Sequence, residues 1–149
     1  MHEKPKLTIA IDGPSGSGKS SVSKEVARHF GLAYLDTGAM YRAVTWYVLE
    51  RGIDLADAEA ISQAVVEMPL VFGTNIKEEE ILIGSTDVRE QIRSERVSAA
   101  VSAVASVPAV REHLIGLQRW AIGHAVNGIV AEGRDITTVV APDADARIL

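Results

Sequence analysis

The sequence predicts an α/β protein in which a parallel β-sheet is covered by helices on both faces. Short apolar runs alternate with longer segments of helical periodicity, which is typical of buried parallel strands joined by crossover helices. The 149 residues are 47% hydrophobic and 23% charged, so the chain can build a packed core. A glycine-rich loop joins the first apolar run to the first helical segment.

The first half of the chain predicts two strands and three helices. Apolar, β-rich runs mark the strands, and apolar residues three or four positions apart mark the helices. Gly31, Gly52 and Pro69 each follow a helical segment, as expected of residues that end helices. The predicted elements lie at residues 7–11 (strand), 18–29 (helix), 33–35 (strand), 38–50 (helix) and 57–67 (helix). We expect the first helix to bury Val22, Val26, Ala27 and Phe30.

The second half begins with a small antiparallel patch and then returns to the alternating pattern. Short β-rich runs at 70–72, 81–83 and 87–88 are separated by turns that contain glycine, which favours antiparallel pairing. Pro108 separates two further helices, and two strands follow. These later elements lie at residues 95–106 (helix), 109–125 (helix), 128–131 (strand) and 146–149 (start of a strand).

Composition and charge exclude several classes of function. No apolar run approaches the roughly 20 residues that a membrane-spanning helix needs, and no signal-peptide pattern begins the chain. The chain has no cysteine, which excludes disulfides, thiolate metal sites and cysteine nucleophiles. A net charge of −5 argues against a general nucleic-acid-binding surface. We therefore expect a cytoplasmic protein without nucleic-acid or membrane partners. Separately from composition, which does not disclose the oligomeric state, we expect a monomer that acts on a small molecule.

The glycine-rich loop matches the complete P-loop pattern G-x-x-x-x-G-K-[ST] between a strand and a helix. Its backbone N–H groups and the following helix N-terminus favour phosphate oxygens. The pattern predicts that Lys19 reaches the β- and γ-phosphates of a nucleoside triphosphate and that the Ser20 hydroxyl binds Mg²⁺, but it does not distinguish an ATPase, a GTPase and a kinase. The predicted nucleotide-binding residues are Gly13, Pro14, Ser15, Gly16, Ser17, Gly18, Lys19, Ser20 and Ser21.

A second cluster, residues 36–42, directly follows the second predicted strand and begins a helix. Ligands of parallel sheets bind beyond the carboxyl ends of the strands. Thr37 at this point could cap the helix and donate to an anion, with Arg42 one turn further along. These groups could hold a phosphate acceptor opposite the P-loop. The alternative is an ordinary capped helix with a solvated arginine.

A third cluster, residues 132–135, follows the predicted strand at 128–131. Arg134 could hold a phosphate, and Asp135 could accept a hydrogen bond from an exocyclic amine or a hydroxyl. The alternative is a structural Arg–Asp pair that closes a loop. Three clusters at strand ends predict one crevice, which suits phosphoryl transfer between small molecules better than switch-type hydrolysis. The sequence also lacks the Asn-Lys-x-Asp guanine signature of GTPases.

With these residues the chain closely resembles the bacterial cytidylate kinases, a family of nucleoside monophosphate kinases. The resemblance covers the whole chain and rests on residues 11–20, 36–42, 132–135 and 142–144. It implies a P-loop kinase that uses ATP and Mg²⁺ to phosphorylate cytidine monophosphate (CMP) and deoxycytidine monophosphate. It also implies one kinase core over residues 1–149, incomplete at its C-terminus, with a monophosphate-binding insertion at about 68–102.

The resemblance also implies roles for individual residues. Lys19, Arg42 and Arg134 match the family's catalytic residues, and the two arginines are expected to hold the acceptor phosphate. Other matching residues line the phosphate pocket or read the cytosine edge; they are Thr37 and Tyr41 for the pocket, and Ser102, Arg111 and Asp135 for the base. A carboxylate facing the cytosine amine and a guanidinium facing its carbonyl and ring nitrogen would distinguish cytosine from uracil.

Two departures from the family are visible. Thr137 stands where the family usually has glycine, and the family's arginine-rich lid and last strand lie beyond Leu149. Two alternatives to a cytidylate kinase therefore stay open. One is a P-loop kinase for another small molecule, and the other is an inactive nucleotide-binding fragment.

Overall fold

The structure, a computed structural model, describes residues 6–13 and 19–148, with only the backbone of Lys19. Contacts divide the chain into two compact units. Unit 1 comprises Met1–Gly38, Thr74–Glu79 and Leu117–Leu149, and unit 2 comprises Ala39–Gly73 and Glu80–Gly116. Within the described ranges, no helix is both long and apolar enough to cross a membrane.

The described residues form seven strands and five α-helices. The strands are β1 (Leu7–Asp12), β2 (Ala33–Asp36), β3 (Leu70–Phe72), β4 (Ile81–Ile83), β5 (Thr86–Asp87), β6 (Gly128–Gly133) and β7 (Ala146–Ile148). The helices are α1 (Lys19–Phe30), α2 (Thr37–Glu50), α3 (Ala58–Glu67), α4 (Glu95–Ala105) and α5 (Pro108–His124). A 3₁₀ turn at Gln91–Arg93 and a π-helical turn at Ile136–Val140 complete the list.

The main sheet belongs to unit 1 and has the strand order β2-β6-β1-β7, with every pair parallel. All six residues of β6 are buried, because β6 is an inner strand with a neighbour on each side. Ile9, Ile11 and Val130 form a core cluster with Ala27 of α1. The parallel sheet and the small antiparallel sheet confirm the α/β fold class that the sequence predicts.

The prediction for the buried face of α1 is wrong in part. Ala27 is buried, but the Val22 and Phe30 side chains are 53% and 57% exposed. Ser23, one turn before Ala27, is fully buried instead. Two small side chains one turn apart allow a helix to approach its neighbour closely, and the larger apolar side chains then remain at the rim of the contact.

The predicted helix ends need small corrections. Gly31 has φ +66° and ends α1 as expected, and the N–H of Leu32 donates to the carbonyl of Ala27 at 2.8 Å. Pro108 is the first residue of α5 and not a break before it, since proline suits the first helical turn. Helix α2 begins at Thr37, so the cap position falls on Asp36 and not on Thr37.

Unit 2 combines α3, α4 and the antiparallel sheet β3-β4-β5, which confirms the predicted antiparallel patch. The Asp57 carboxylate caps α3 and the Ser94 hydroxyl caps α4, each by accepting a backbone N–H. After β5, hydrogen bonds from Arg89 hold the pKa of the exposed Asp87 carboxyl below its ordinary value. The fully buried side chains of unit 2 include Ile61, Val65, Val88, Val97, Val104 and Leu114.

Candidate functional site

The two elements that flank the P-loop are in place. β1 ends at Asp12 and α1 begins at Lys19, which gives the strand–loop–helix order that the motif requires. Ser21 is exposed on the first turn of α1. The predictions for the loop itself lie outside the described residues; they concern Pro14, Ser15, Gly16, Ser17, Gly18 and the side chain of Lys19.

The position of Glu132 differs from the sequence prediction, which ends the strand at residue 131. Glu132 lies within β6, where it pairs in register with Ile11 and Asp36, and its side chain is 1% exposed. The Ser20 hydroxyl donates to the Glu132 carboxylate at 3.1 Å. The sequence prediction misses this contact, because it places Glu132 in the loop after the strand, whereas β6 continues to Gly133. A carboxylate inside an otherwise apolar inner strand needs polar partners, and Ser20 is one of them. We therefore add Glu132 to the candidate site.

The donor set of Ser20 and Glu132 fits Mg²⁺. This ion prefers oxygen ligands, and proteins hold it through one or two carboxylates while waters and phosphate oxygens complete its shell. Ser20 and Glu132 supply a hydroxyl and a carboxylate at the carboxyl edge of the sheet. Among the residues with described positions, no group of three or more His, Cys, Asp or Glu side chains could hold a metal alone.

Thr37 has a structural role that the sequence analysis did not predict. It is 2% exposed, and its hydroxyl donates to the main-chain carbonyl oxygen of Glu132 at 2.9 Å. The hydroxyl that was expected to reach an anion thus ties the start of α2 to β6. Gly133 permits this contact, since a Cβ at Gly133 would overlap the Thr37 hydroxyl.

Arg134 and Asp135 follow β6 directly, at the carboxyl edge of the sheet, and both are exposed. Asp135 has φ +60° and ψ +18°, and it is the one non-glycine residue with positive φ in the described chain. Ile136 and Thr137 come next, begin the π-helical turn and are buried. The Thr137 hydroxyl donates to the Asp12 carboxylate at 2.6 Å, a contact that glycine cannot make.

Four predicted substrate residues lie in unit 2. Nη1 of Arg42 donates to the carbonyl of Ile92 at 3.0 Å and to the Ser98 hydroxyl at 2.9 Å. Tyr41 and Arg111 are half-buried, and Ser102 is exposed on α4. Their convergence with Arg134 and Asp135 stays a prediction of the sequence.

Comparisons with known proteins agree with this chemistry. A family model described as Cytidylate kinase matches residues 9–149. The chain is 55% identical to a cytidylate kinase of Rhodococcus opacus, over 95% of this chain and 62% of that protein. It is 50% identical to one from Streptomyces avermitilis, over 97% of this chain and 62% of that protein. It is 51% identical to one from Nocardia farcinica, over 99% of this chain and 63% of that protein. The chain thus spans less than two thirds of the length of these relatives.

Proposed function

The chain belongs to the cytidylate kinase family, and from this premise we propose that the whole protein transfers the γ-phosphoryl group of ATP to CMP and deoxycytidine monophosphate. The observation that carries the proposal is the carboxyl edge of the parallel sheet in unit 1. There β1 leads into the P-loop, Ser20 contacts Glu132, and β6 leads into Arg134 and Asp135. A cytoplasmic enzyme that works as a monomer is consistent with this chemistry.

On the donor side, the P-loop and Lys19 bind the β- and γ-phosphates of ATP. Ser20 and Glu132 would hold Mg²⁺, which when bound neutralises charge on the phosphate oxygens. Burial of Glu132 in β6 fixes its carboxylate against the rigid sheet, so the Ser20 hydroxyl is oriented before nucleotide arrives. Catalysis then depends on positioning and charge stabilisation, without a covalent intermediate.

On the acceptor side, Arg42 and Arg134 bind the phosphate of CMP. The bonds from Nη1 of Arg42 to Ile92 and Ser98 fix the guanidinium plane. Because guanidinium carries five N–H donors, its other nitrogens can still form a forked contact with phosphate oxygens. Arg134 is exposed beyond β6 and supplies the second positive charge.

The base is read by Asp135, Arg111 and Ser102. The Asp135 carboxylate accepts from the cytosine amino group, whereas uracil has a carbonyl oxygen at that point. A site built to hydrogen-bond one group strongly rejects a ligand that lacks it, because a buried partner is left unpaired. We therefore expect CMP to be a much better substrate than uridine monophosphate (UMP).

The experiment measures kcat/KM of the complete polypeptide for CMP and UMP with saturating ATP and Mg²⁺. Asp135→Asn, whose amide can donate to uracil, is expected to reduce the CMP-to-UMP ratio by about tenfold or more. Glu67→Gln removes the same charge from an exposed residue outside the family motifs and is expected to leave the ratio unchanged. A wild-type enzyme that phosphorylates neither nucleotide would overturn the proposed function. An unchanged ratio in Asp135→Asn would remove Asp135 from base recognition.

A further inference from the structure

Within the described part of the chain, the Asp12 carboxylate accepts hydrogen bonds from the loop that follows β6. Its Oδ1 accepts the Ile136 N–H at 2.7 Å. Its Oδ2 accepts the Thr137 N–H at 3.1 Å and the Thr137 hydroxyl at 2.6 Å. Asp12 is the last residue of β1, and it is separated from Thr137 by 125 positions in the chain. One carboxylate thus joins the start of the P-loop to the start of the π-helical turn.

The neighbouring residue makes a second connection to the same loop. The Gly13 N–H donates to the Gly133 carbonyl oxygen at 3.2 Å. The consecutive residues Asp12 and Gly13 therefore bind the chain on both sides of Arg134 and Asp135. Only the two exposed residues proposed to contact substrate lie between these anchors.

The backbone between the anchors has an unusual conformation. Asp135 lies in the left-handed region, and the π-helical turn follows it directly. Left-handed conformations and π-turns are both uncommon, and they persist where the surrounding contacts determine them. The Asp12 carboxylate supplies such contacts, because it accepts both N–H groups at the start of the turn.

We propose that Asp12 is a positioning residue for nucleotide selectivity, and that the Thr137 hydroxyl is its partner. By fixing Ile136 and Thr137, the Asp12 carboxylate sets the direction in which Arg134 and Asp135 leave β6. The base edge and the acceptor phosphate are then recognised at a fixed distance from the P-loop, which begins one residue after Asp12. This inference rests on the proposed function of Arg134 and Asp135.

Thr137 offers the cleanest test, because it can be changed without touching the P-loop backbone. Thr137→Val keeps the shape of the side chain and removes only the hydroxyl donor, and Thr137→Ser keeps the hydroxyl as a matched control. Asp12→Asn, which loses one acceptor oxygen, tests the other partner. For each variant of the complete polypeptide, kcat and KM are measured for CMP, UMP and ATP, and amide hydrogen exchange is followed at Ile136 and Thr137.

We expect Thr137→Val and Asp12→Asn to raise the KM for CMP and to lower the CMP-to-UMP ratio of kcat/KM by about five- to tenfold. The KM for ATP should change less than about twofold in Thr137→Val, since its P-loop contacts are intact. Exchange at Ile136 and Thr137 should accelerate in both variants, and Thr137→Ser should resemble the wild type. In the double variant Asp12→Asn/Thr137→Val, the CMP-to-UMP ratio of kcat/KM should fall by less than the two single reductions multiplied together. The reason is that both substitutions remove the same interaction.

Faster exchange with an unchanged CMP-to-UMP ratio would overturn the proposal, since Asp12 would then only hold the loop together. Equal losses for CMP, UMP and ATP would also overturn it. Failure of the proposed function has a different result: the wild type would show no transfer to either monophosphate. The exchange measurement tests the Asp12 contacts in every case, because it needs no substrate.

Discussion

Gly133 is the last residue of β6, directly before Arg134, and it packs against Thr37 at the start of helix α2. Its backbone approaches Thr37 so closely that a Cβ would overlap the Thr37 hydroxyl, and its φ of +157° disfavours other residues. The same hydroxyl donates to Glu132, the residue that contacts Ser20. The absence of a side chain at Gly133 therefore allows the Thr37 hydroxyl to reach the main-chain oxygen of Glu132.

We expect Gly133→Ala to lower the free energy of unfolding by about 2–4 kcal/mol, because the new methyl group must displace Thr37 or β6. The hydrogen bond from Thr37 to Glu132 would be lost or lengthened. Denaturant unfolding followed by circular dichroism measures the change. A loss below about 1 kcal/mol would show that the contact is easily rearranged.

Gly116→Ala provides the control for this substitution. Gly116 lies inside helix α5, and a Cβ there would meet no atom within 4 Å. Alanine favours a helix interior over glycine by roughly 0.5–1 kcal/mol, so this variant should be slightly more stable than the wild type. If Gly133→Ala lowers the free energy of unfolding and Gly116→Ala raises it, the loss at Gly133 comes from close packing and not from the change in backbone entropy.

At the scale of elements, the π-helical turn is held at both of its ends. Asp12 accepts the N–H groups at its start, and the Arg119 side chain from α5 donates to the carbonyl oxygens at its end. Nη2 of Arg119 lies 2.6 Å from the Val139 oxygen, and Nε lies 3.3 Å from the Val140 oxygen. Negative charge at the start and positive charge at the end match the dipole of a helical turn.

We expect Arg119→Ala to reduce the free energy of unfolding by about 1–2 kcal/mol, since two charge-assisted hydrogen bonds are lost. Arg119→Lys should lose less stability than Arg119→Ala, because its ammonium group can still donate to a carbonyl oxygen. It should not reach the wild-type stability, because one ammonium group cannot reproduce the two-nitrogen contact. Urea denaturation of the three proteins measures the differences. If Arg119→Ala is as stable as the wild type, water replaces both contacts without cost.

Local pattern predicted most elements, because periodicity and end signals are local properties. The apolar run at 128–131 correctly predicts a strand, and Gly31 correctly predicts the end of α1. The buried face of α1 could not be read from hydrophobicity alone, because a close approach to the sheet favours the small Ser23 over Val22. The two additional residues of β6 were missed, because the Glu132 charge suggested a loop where long-range pairing with β1 and β2 continues the strand.

For the whole molecule, the site contacts that escaped prediction join distant parts of the chain. Ser20 and Glu132 are 112 positions apart, and Asp12 and Thr137 are 125 apart. The P-loop motif, Arg134 and Asp135 could be identified as site candidates from the sequence. The partners of Thr37, Glu132 and Asp12 could not be predicted. Each of these contacts joins a strand to a helix or turn that is distant in the sequence, and only the folded sheet brings the two together.

The strand order makes one whole-molecule prediction. β6 lies between β1 and β2, which do not pair with each other. A chain of residues 1–127 lacks β6 and β7, the two neighbours of β1, so the amides of Ile9 and Ile11 should exchange rapidly with solvent. In a chain of residues 1–149 the same amides should be protected. Hydrogen exchange read by NMR or mass spectrometry compares the two, and protection in the shorter chain would contradict the prediction.

The same strand order has a consequence for protein synthesis. A ribosome makes residues from the N-terminus, so β1 and β2 leave the exit tunnel long before β6 does. Through this interval two short apolar strands have no partner for their edges, and such edges invite aggregation or chaperone binding. Nascent-chain experiments should therefore find that the P-loop region stays accessible to proteases until β6 has emerged. Slower translation of the intervening segment would lengthen that exposure.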